Sequence, residues 1–355
     1  MRSPGGAPAS PKLMWIQALR GLAALTVAAV HLNDGFARFL DDRLGLVPRG
    51  DQLAQAAVAL FFVISGCVMV ISSGRMAGSV RGMGTFWRRR AVRVLPPYWV
   101  ATGVMVAVAL WLTMPLDVRD VAASLAFVPL AAPPGSPAPF ALYLWPAWTL
   151  FYELIFYAIF GACLVLGRKR AAIACAAALV ALVTIAPPLM GDTLAVHAAT
   201  RPVMLLFIGG LAAGLAVSRA VPAVPMPARL AALVMAGAVF VLAPHPETRL
   251  GYGWLLWAGL PALLVFVAAM GWPLHGFARR MAGTLGDASY ALYLLHIPFA
   301  HAWMRVFDGW LGGKGGSIGY LAGGLPLLVI VSIAFHRVVE RPLTAALNRA
   351  AARLS

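Results

Sequence analysis

The chain has 355 residues, 61% of them hydrophobic and only 11% charged. That is too little charge to cover the surface of a water-soluble domain of this length, so composition points to a membrane-embedded protein. The net charge of +16 would suggest nucleic acid in a soluble chain. Here the cations fall between apolar runs, where membrane topology accounts for them and no nucleic-acid partner is expected.

The apolar runs are too long and continuous for the short alternating strands of a β-barrel. Helices, which satisfy their own backbone groups in lipid, are expected instead. Residues 1–12, with Pro, Gly, Ser and Arg2, read as a disordered cytoplasmic N-terminus without the apolar core of a cleavable signal peptide. Ten spans follow, at roughly 14–36, 53–72, 92–113, 147–166, 171–190, 201–217, 229–243, 252–270, 285–306 and 318–338. With the N-terminus inside, Arg38, Arg43, Arg49, Arg119, Arg201, Arg249, Arg305 and Lys314 fall outside, which leaves 20 of the 28 cations inside. That asymmetry predicts an all-α integral membrane protein, a bundle of about ten transmembrane helices with both termini cytoplasmic. The domain would span 13–342, followed by a cytoplasmic tail over 343–355. The connection 114–146 carries an apolar piece from Val121 to Ala132 and a Pro-rich stretch from Pro133 to Pro139, which suits a re-entrant or interfacial segment. Cys67, Cys163 and Cys175 all sit in apolar runs and read as free thiols, with no disulfide framework and no metal-ligand spacing.

A charge at mid-membrane costs roughly 2.5–3.5 kcal/mol on insertion scales, so polar residues inside the spans carry the most information. In the first span Arg20 and His31 are 11 residues apart. At 3.6 residues per turn they share a face, about 16 Å apart along the axis. An arginine suits a phosphate and a histidine suits proton abstraction near neutral pH. A snorkelling Arg with an interfacial His would give the same pattern. The second span ends Phe61-Phe62-Val63-Ile64-Ser65-Gly66, which close helix approach alone could explain. Arg88, Arg89, Arg90 and Arg93 crowd the start of the third span, ahead of Pro96, Pro97 and Tyr98. Arg89 or Arg90 shares a face with Arg93, and such a cluster suits a polyphosphate or anionic lipid headgroups.

The fourth span opens Trp148-Thr149-Leu150-Phe151-Tyr152-Glu153, which puts Glu153 at about the depth of His31. There it could orient His31, pair with an arginine, or act as a base. The ninth span carries Ser289, Tyr290 and His296, the last either a second acid/base candidate or a hydrogen-bonding partner for a neighbouring helix. Glu340-Arg341 at the end of the tenth span reads as a surface pair.

In this order the segments resemble the acyltransferase-3 family of bacterial membrane O-acyltransferases, from Gln17 through Pro342. The family's Arg-x10-His pattern appears as Arg20 to His31, FFxxSG as Phe61 to Gly66, and RxxR as Arg90 to Arg93. W-[ST]-L-x-x-E-x-x-F-Y appears as Trp148 to Tyr157, and SYxxYLxH as Ser289 to His296. Ile16 to Gly21 and Phe151-Tyr152-Glu153 look like the exopolysaccharide acetyltransferase subgroup. The resemblance implies a multi-pass protein of the bacterial inner membrane, an acyl-CoA donor on the cytoplasmic side, acetyl by default, and a saccharide or lipid-linked saccharide acceptor. It implies His31 as the catalytic histidine and Arg20, Arg90 and Arg93 at the donor site. Some members carry a C-terminal extracytoplasmic hydrolase-like domain; this chain is expected to act without one in cis.

The residues and the resemblance together give a route. Arg20, Arg89, Arg90 and Arg93 hold acyl-CoA as a donor substrate, with no permanently bound cofactor and no metal. His31 is the general base and Glu153 orients it. Ser65, Tyr98, Trp148, Ser289, Tyr290 and His296 support the substrate. A transporter or flippase for an anionic solute or lipid-linked saccharide, and a non-enzymatic scaffold of a polysaccharide-export complex, are the rival expectations.

Overall fold

The computed structural model describes residues 13–37, 50–132, 140–191, 193–246, 250–311 and 316–353. The segments expected to be disordered (1–12) and Pro-rich (133–139) lie outside these residues. The described residues form helices in the order α1 Met14–Ala37, α2 Gly50–Ser72, α3 Val80–Trp111, α4 Val118–Leu125, α5 Trp148–Cys163, α6 Arg168–Thr184, α7 Ala186–Met190 and α8 Leu194–Ala199. There follow α9 Leu206–Arg219, α10 Met226–Leu242, α11 Tyr252–Trp254, α12 Leu260–Ala269, α13 Gly276–Leu311, α14 Gly316–Phe335 and α15 Arg341–Arg353. One isolated bridge, Leu130 to Ala141, is the β-type pairing among the described residues.

Seven helical stretches among the described residues are long and apolar enough to cross a membrane: Met14–Asn33, Gly50–Ser72, Val80–Trp111, Trp145–Leu166, Leu194–Arg219, Tyr252–Ala269 and Gly319–Ala351. They coincide with seven of the ten expected spans. The other three expected spans also fall on helices, but α6 and α10 have 17 residues each. That is short of the roughly 20 that a perpendicular crossing takes. α13 is long enough at 36 residues but begins with Arg279, Arg280 and Asp287.

Glycine sets the two closest helix approaches. A Cβ on Gly286 of α13 would meet Gln17 Cβ at 2.6 Å, and one on Gly21 of α1 would meet Leu285 Cβ at 2.8 Å. Ala24 and Ala28 continue the small, fully buried face of α1. With nothing bulky between them, α1 and α13 lie side by side. They run parallel, because Gln17 bonds Asp287 near one end and His31 bonds His296 further along both helices. In the same way Gly66 of α2 seats against Gly210 of α9. α2 is antiparallel to α1, since Ser65 and Met69 face the same cavity as Arg20.

The long connection between α3 and α5 is anchored rather than loose. Asp117 caps α4 through the amide of Arg119 at 2.7 Å. At the other end of α4 the carbonyls of Ser124 and Leu125 accept from Tyr98 Oη at 2.8 Å and Trp99 Nε1 at 3.1 Å. Two α3 side chains therefore satisfy carbonyls that a helix end leaves open, which a buried or interfacial helix requires.

Candidate active site

A cavity opens between α1, α2, α3, α5 and α13. It is lined by Arg20, Ser65, Arg90, Arg93, Glu153, Tyr157, Ser289, Tyr290 and Tyr293, with apolar walls from Val58, Phe61, Phe62, Val68 and Met69. Three of the four arginines expected to hold a donor thus meet in space from two helices. The fourth, Arg89, is exposed and lies within 4.0 Å of the Met76 sulfur, off the cavity, because the helical turn that aims Arg90 and Arg93 inward rotates Arg89 away.

Each of these arginines is held differently. Arg20 Nη1 donates to Gln17 Oε1 at 3.5 Å, and Gln17 Nε2 donates to Asp287 Oδ1 at 2.7 Å. This chain of contacts ties Arg20 to α13. Arg90 lies over the rings of Phe86 and Tyr157, 5.7 and 5.9 Å from their centroids, and its Nη2 reaches Ser72 Oγ at 3.4 Å. Its Nε is buried without a hydrogen-bond partner among the described residues. Arg93 remains exposed at the mouth. One wall is thus cationic and stacked on aromatic faces, with hydrogen-bonding capacity left over for an anion.

Glu153 supplies the opposite charge. It accepts from Ser65 Oγ at 2.6 Å and, through a very short contact, from Tyr157 Oη. It lies within electrostatic reach of Arg20 and Arg90. Of its three expected uses, the geometry places it beside the arginines. Ser65 thus has a partner of its own in addition to flanking a glycine contact. Removing that partner with Ser65→Ala is expected to lower stability by roughly 0.6–2 kcal/mol, the range of hydrogen bonds between membrane helices. The check is thermal unfolding in detergent.

His31 sits about three helical turns beyond Arg20 on α1. His296 is the partner seen here rather than the expected Glu153: His31 Nδ1 and His296 Nε2 are 3.0 Å apart, and the rings stack at 5.1 Å with 12° between planes. His296 is fully buried, and its Nδ1 lies 2.6 Å from the carbonyl oxygen of Tyr293. A carbonyl only accepts, so Nδ1 of His296 carries the proton. With both rings neutral, Nε2 of His296 is then an acceptor and Nδ1 of His31 donates to it. That fixes the His31 tautomer and leaves the lone pair on its Nε2. Trp145 packs edge-on against His31 at 5.1 Å and limits how the ring can turn.

Tyr293 stands between the cavity and this pair. Its side chain lines the cavity and its hydroxyl donates to Pro146 O at 3.1 Å, while its carbonyl holds His296. Tyr290 Oη donates to Val94 O at 2.8 Å, and Ser289 Oγ to Gly286 O at 2.7 Å; both residues line the cavity. Two other expected supporting residues lie elsewhere. Tyr98 is buried against Ser124, and Trp148 packs with Phe62 and Tyr152 in the aromatic core.

Composition and spacing did not single out Gln17, Asp287 or Tyr157, and they misplaced Glu340. Glu340 is 7% exposed rather than a surface partner of Arg341, and its Oε2 lies 2.9 Å from His336 Nδ1. Both residues fall in a π-helical turn, His336–Glu340, and Glu340 lies within electrostatic reach of Arg20. The i,i+4 spacing of His336 and Glu340 was the signal available in the sequence.

An arginine-walled cavity thus lies along one helix from a histidine pair, inside a bundle of apolar helices, an arrangement compatible with a membrane acyltransferase. The comparisons agree: the acyltransferase-3 family model, an acyltransferase domain, matches residues 13–337, and the chain belongs to that family. It is 33% identical over 303 residues to the "Exopolysaccharide production protein ExoZ" of Rhizobium meliloti (strain 1021), covering 82% of this chain and 90% of that protein. No solved structure matches the chain.

Proposed function

We propose that the protein is an O-acyltransferase of the bacterial inner membrane. It moves an acyl group, acetyl in the first instance, from cytoplasmic acyl-CoA to a hydroxyl of an exported or cell-surface saccharide, through a ten-span bundle with both termini inside. The observation that carries this reading is that α1 and α13, which carry the His31–His296 pair, also form part of the wall of the arginine cavity. The family match and the exopolysaccharide relative support the acceptor class.

In this reading Arg20, Arg90 and Arg93 bind the donor phosphates, with Arg93 at the open mouth. The cavity encloses about 100 Å³. That is far below the roughly 300–1,000 Å³ of pockets that hold whole ligands, so the cavity takes only the phosphate-bearing part of the donor, while the extended acyl arm threads between helices past Tyr293 toward His31. Glu153, held by Ser65 and Tyr157, sets the orientation of Arg20 and Arg90. His31 Nε2 takes the proton from the acceptor hydroxyl as its oxygen attacks the thioester carbonyl. The carbon–sulfur bond breaks, and the leaving thiolate takes the proton from the His31 imidazolium. His296 accepts from His31 Nδ1 throughout, which keeps Nε2 toward the substrate and stabilises the charged ring.

Arg90→Ala and Arg93→Ala are each expected to raise KM for acetyl-CoA about tenfold or more, with kcat changed much less, because a charge-assisted contact to the donor is lost in ground and transition states alike. Steady-state kinetics in reconstituted vesicles check this. The reading itself is tested by free-thiol release from acetyl-CoA on the cytoplasmic face of sealed vesicles. Release should require the protein and a saccharide supplied on the opposite face. Equal release without saccharide would contradict transfer, and saccharide crossing the membrane without thioester cleavage would favour a transporter.

A further inference from the structure

A second, larger cleft lies at the opposite end of the bundle from the arginine cavity. It encloses about 690 Å³ and is lined by His197, Arg201, His245, Tyr252 and Trp257, among others. Its place in the fold follows from α2. Asp51, in the first turn of α2, lies 3.8 Å from His245, and α2 reaches the arginine cavity only two to five turns later, from Val58 to Met69. The cleft therefore shares the His31 end of α1, the end where an acceptor would arrive.

Three features mark it as a built site rather than a packing defect. The first is its floor: Trp257 belongs to a π-helical turn, Leu255–Gly259, whose displaced carbonyl at Trp257 accepts from the buried Gln52 Nε2 at 3.2 Å. Single π-turns recur at functional sites because they re-aim side chains at a cost in backbone pairing. The second is its cations: Arg201 contacts His197, and its Nε is buried without a hydrogen-bond partner among the described residues. The Tyr152 hydroxyl, also buried without such a partner, lies within electrostatic reach of Arg201. The third is its aromatic wall: Tyr252 is 58% exposed, and the His245 ring packs on Trp257 at 4.9 Å. An exposed aromatic face binds the C–H face of a sugar ring, and a guanidinium with spare donors binds a carboxylate.

We propose that this cleft binds a segment of an acidic saccharide chain, with Tyr252 against a sugar face and Arg201 on a carboxylate. The assignment rests on the acyltransferase reading for its meaning, as a docking subsite for the acceptor, but not for its test. Full-length protein in nanodiscs would be titrated calorimetrically, without acyl donor, with tri-galacturonate, with neutral maltotriose and with inorganic phosphate. The acidic trisaccharide should bind about tenfold or more tightly than maltotriose. Arg201→Gln should remove that preference, Tyr252→Ala should weaken both sugars, and Gly103→Ala, which does not line the cleft, should leave both unchanged. Tyr252 is exposed, so its variant tests the site even if the Arg201 variant folds poorly.

Equal affinity for the two sugars, no binding of either, or acid binding unchanged in Arg201→Gln and Tyr252→Ala would each overturn the proposal. Phosphate bound as tightly as tri-galacturonate and lost in the same variants would overturn it in favour of a simple anion site. If binding behaves as expected while acyl transfer is absent, the transfer reading fails and the saccharide site stands.

Discussion

His31→Ala is expected to lower kcat for acyl transfer by about 10²–10⁴-fold, the range of a positioned general base. KM for the acyl donor should change little, because Arg20 lies about three helical turns away on α1, where it shares its cavity with Arg90 and Arg93 of α3. The companion substitutions are at His296. Asparagine at that position keeps an oxygen that can accept from His31 Nδ1, whereas alanine keeps none. His296→Asn should therefore retain clearly more activity than His296→Ala, a difference that mere packing volume does not predict. Steady-state kinetics on the three reconstituted variants check this. His31→Ala within a few-fold of the unsubstituted protein would remove the histidine from the mechanism.

Gly66→Val should damage the fold severely. A Cβ at this position would meet the α9 backbone, with Gly210 Cα and Leu211 N both at 3.0 Å. Backbone cannot swing aside as a flexible side chain does, so α2 and α9 must separate. Overpacking of this kind costs typically about 1–3 kcal/mol and more where the neighbour is rigid. The separation also draws Ser65, the preceding residue, away from Glu153, so the variant that folds should bind donor poorly. Gly103→Ala serves as the control, since a Cβ there meets nothing within 4 Å. Thermal unfolding in detergent should show a lowered midpoint for Gly66→Val and little change for Gly103→Ala; equal midpoints would contradict the account of this contact.

Hydropathy made the helical membrane class and most of the spans legible, because each apolar run is long and local. The helical period placed Arg20 and His31 on one face of α1, and the cavity brings Arg20 together with Ser65, Arg90, Arg93 and Glu153 as the motifs suggested. Partner choice was not legible. His31 and His296 are 265 residues apart, and nothing periodic within either helix says that α1 and α13 run side by side. The glycines that permit that contact, Gly21 and Gly286, read in sequence as ordinary small residues. Depth alone paired His31 with Glu153, and depth does not distinguish helices on opposite sides of Tyr293.

Two misplacements run in opposite directions. Glu340, expected at the surface, is buried, and Arg89, expected to hold the donor, is exposed. In the fold a π-turn rotates Glu340 inward to His336, and an ordinary α-helical turn rotates Arg89 outward from Arg90 and Arg93. Tyr98, expected to support the substrate, does not line the cavity. Its hydroxyl instead closes the end of α4, a demand created by tertiary structure and invisible in the local pattern.

The most direct test of the central claim is label transfer. Protein reconstituted in liposomes, with or without His31→Ala, would be given radiolabelled acetyl-CoA and a saccharide or lipid-linked saccharide extract, and label counted in the saccharide fraction. Label that requires the protein and falls to background with His31→Ala is the predicted result. Label that persists undiminished in the variant would contradict the role assigned to His31, and no label from acetyl-CoA or succinyl-CoA with the unsubstituted protein would contradict the acyltransferase reading itself.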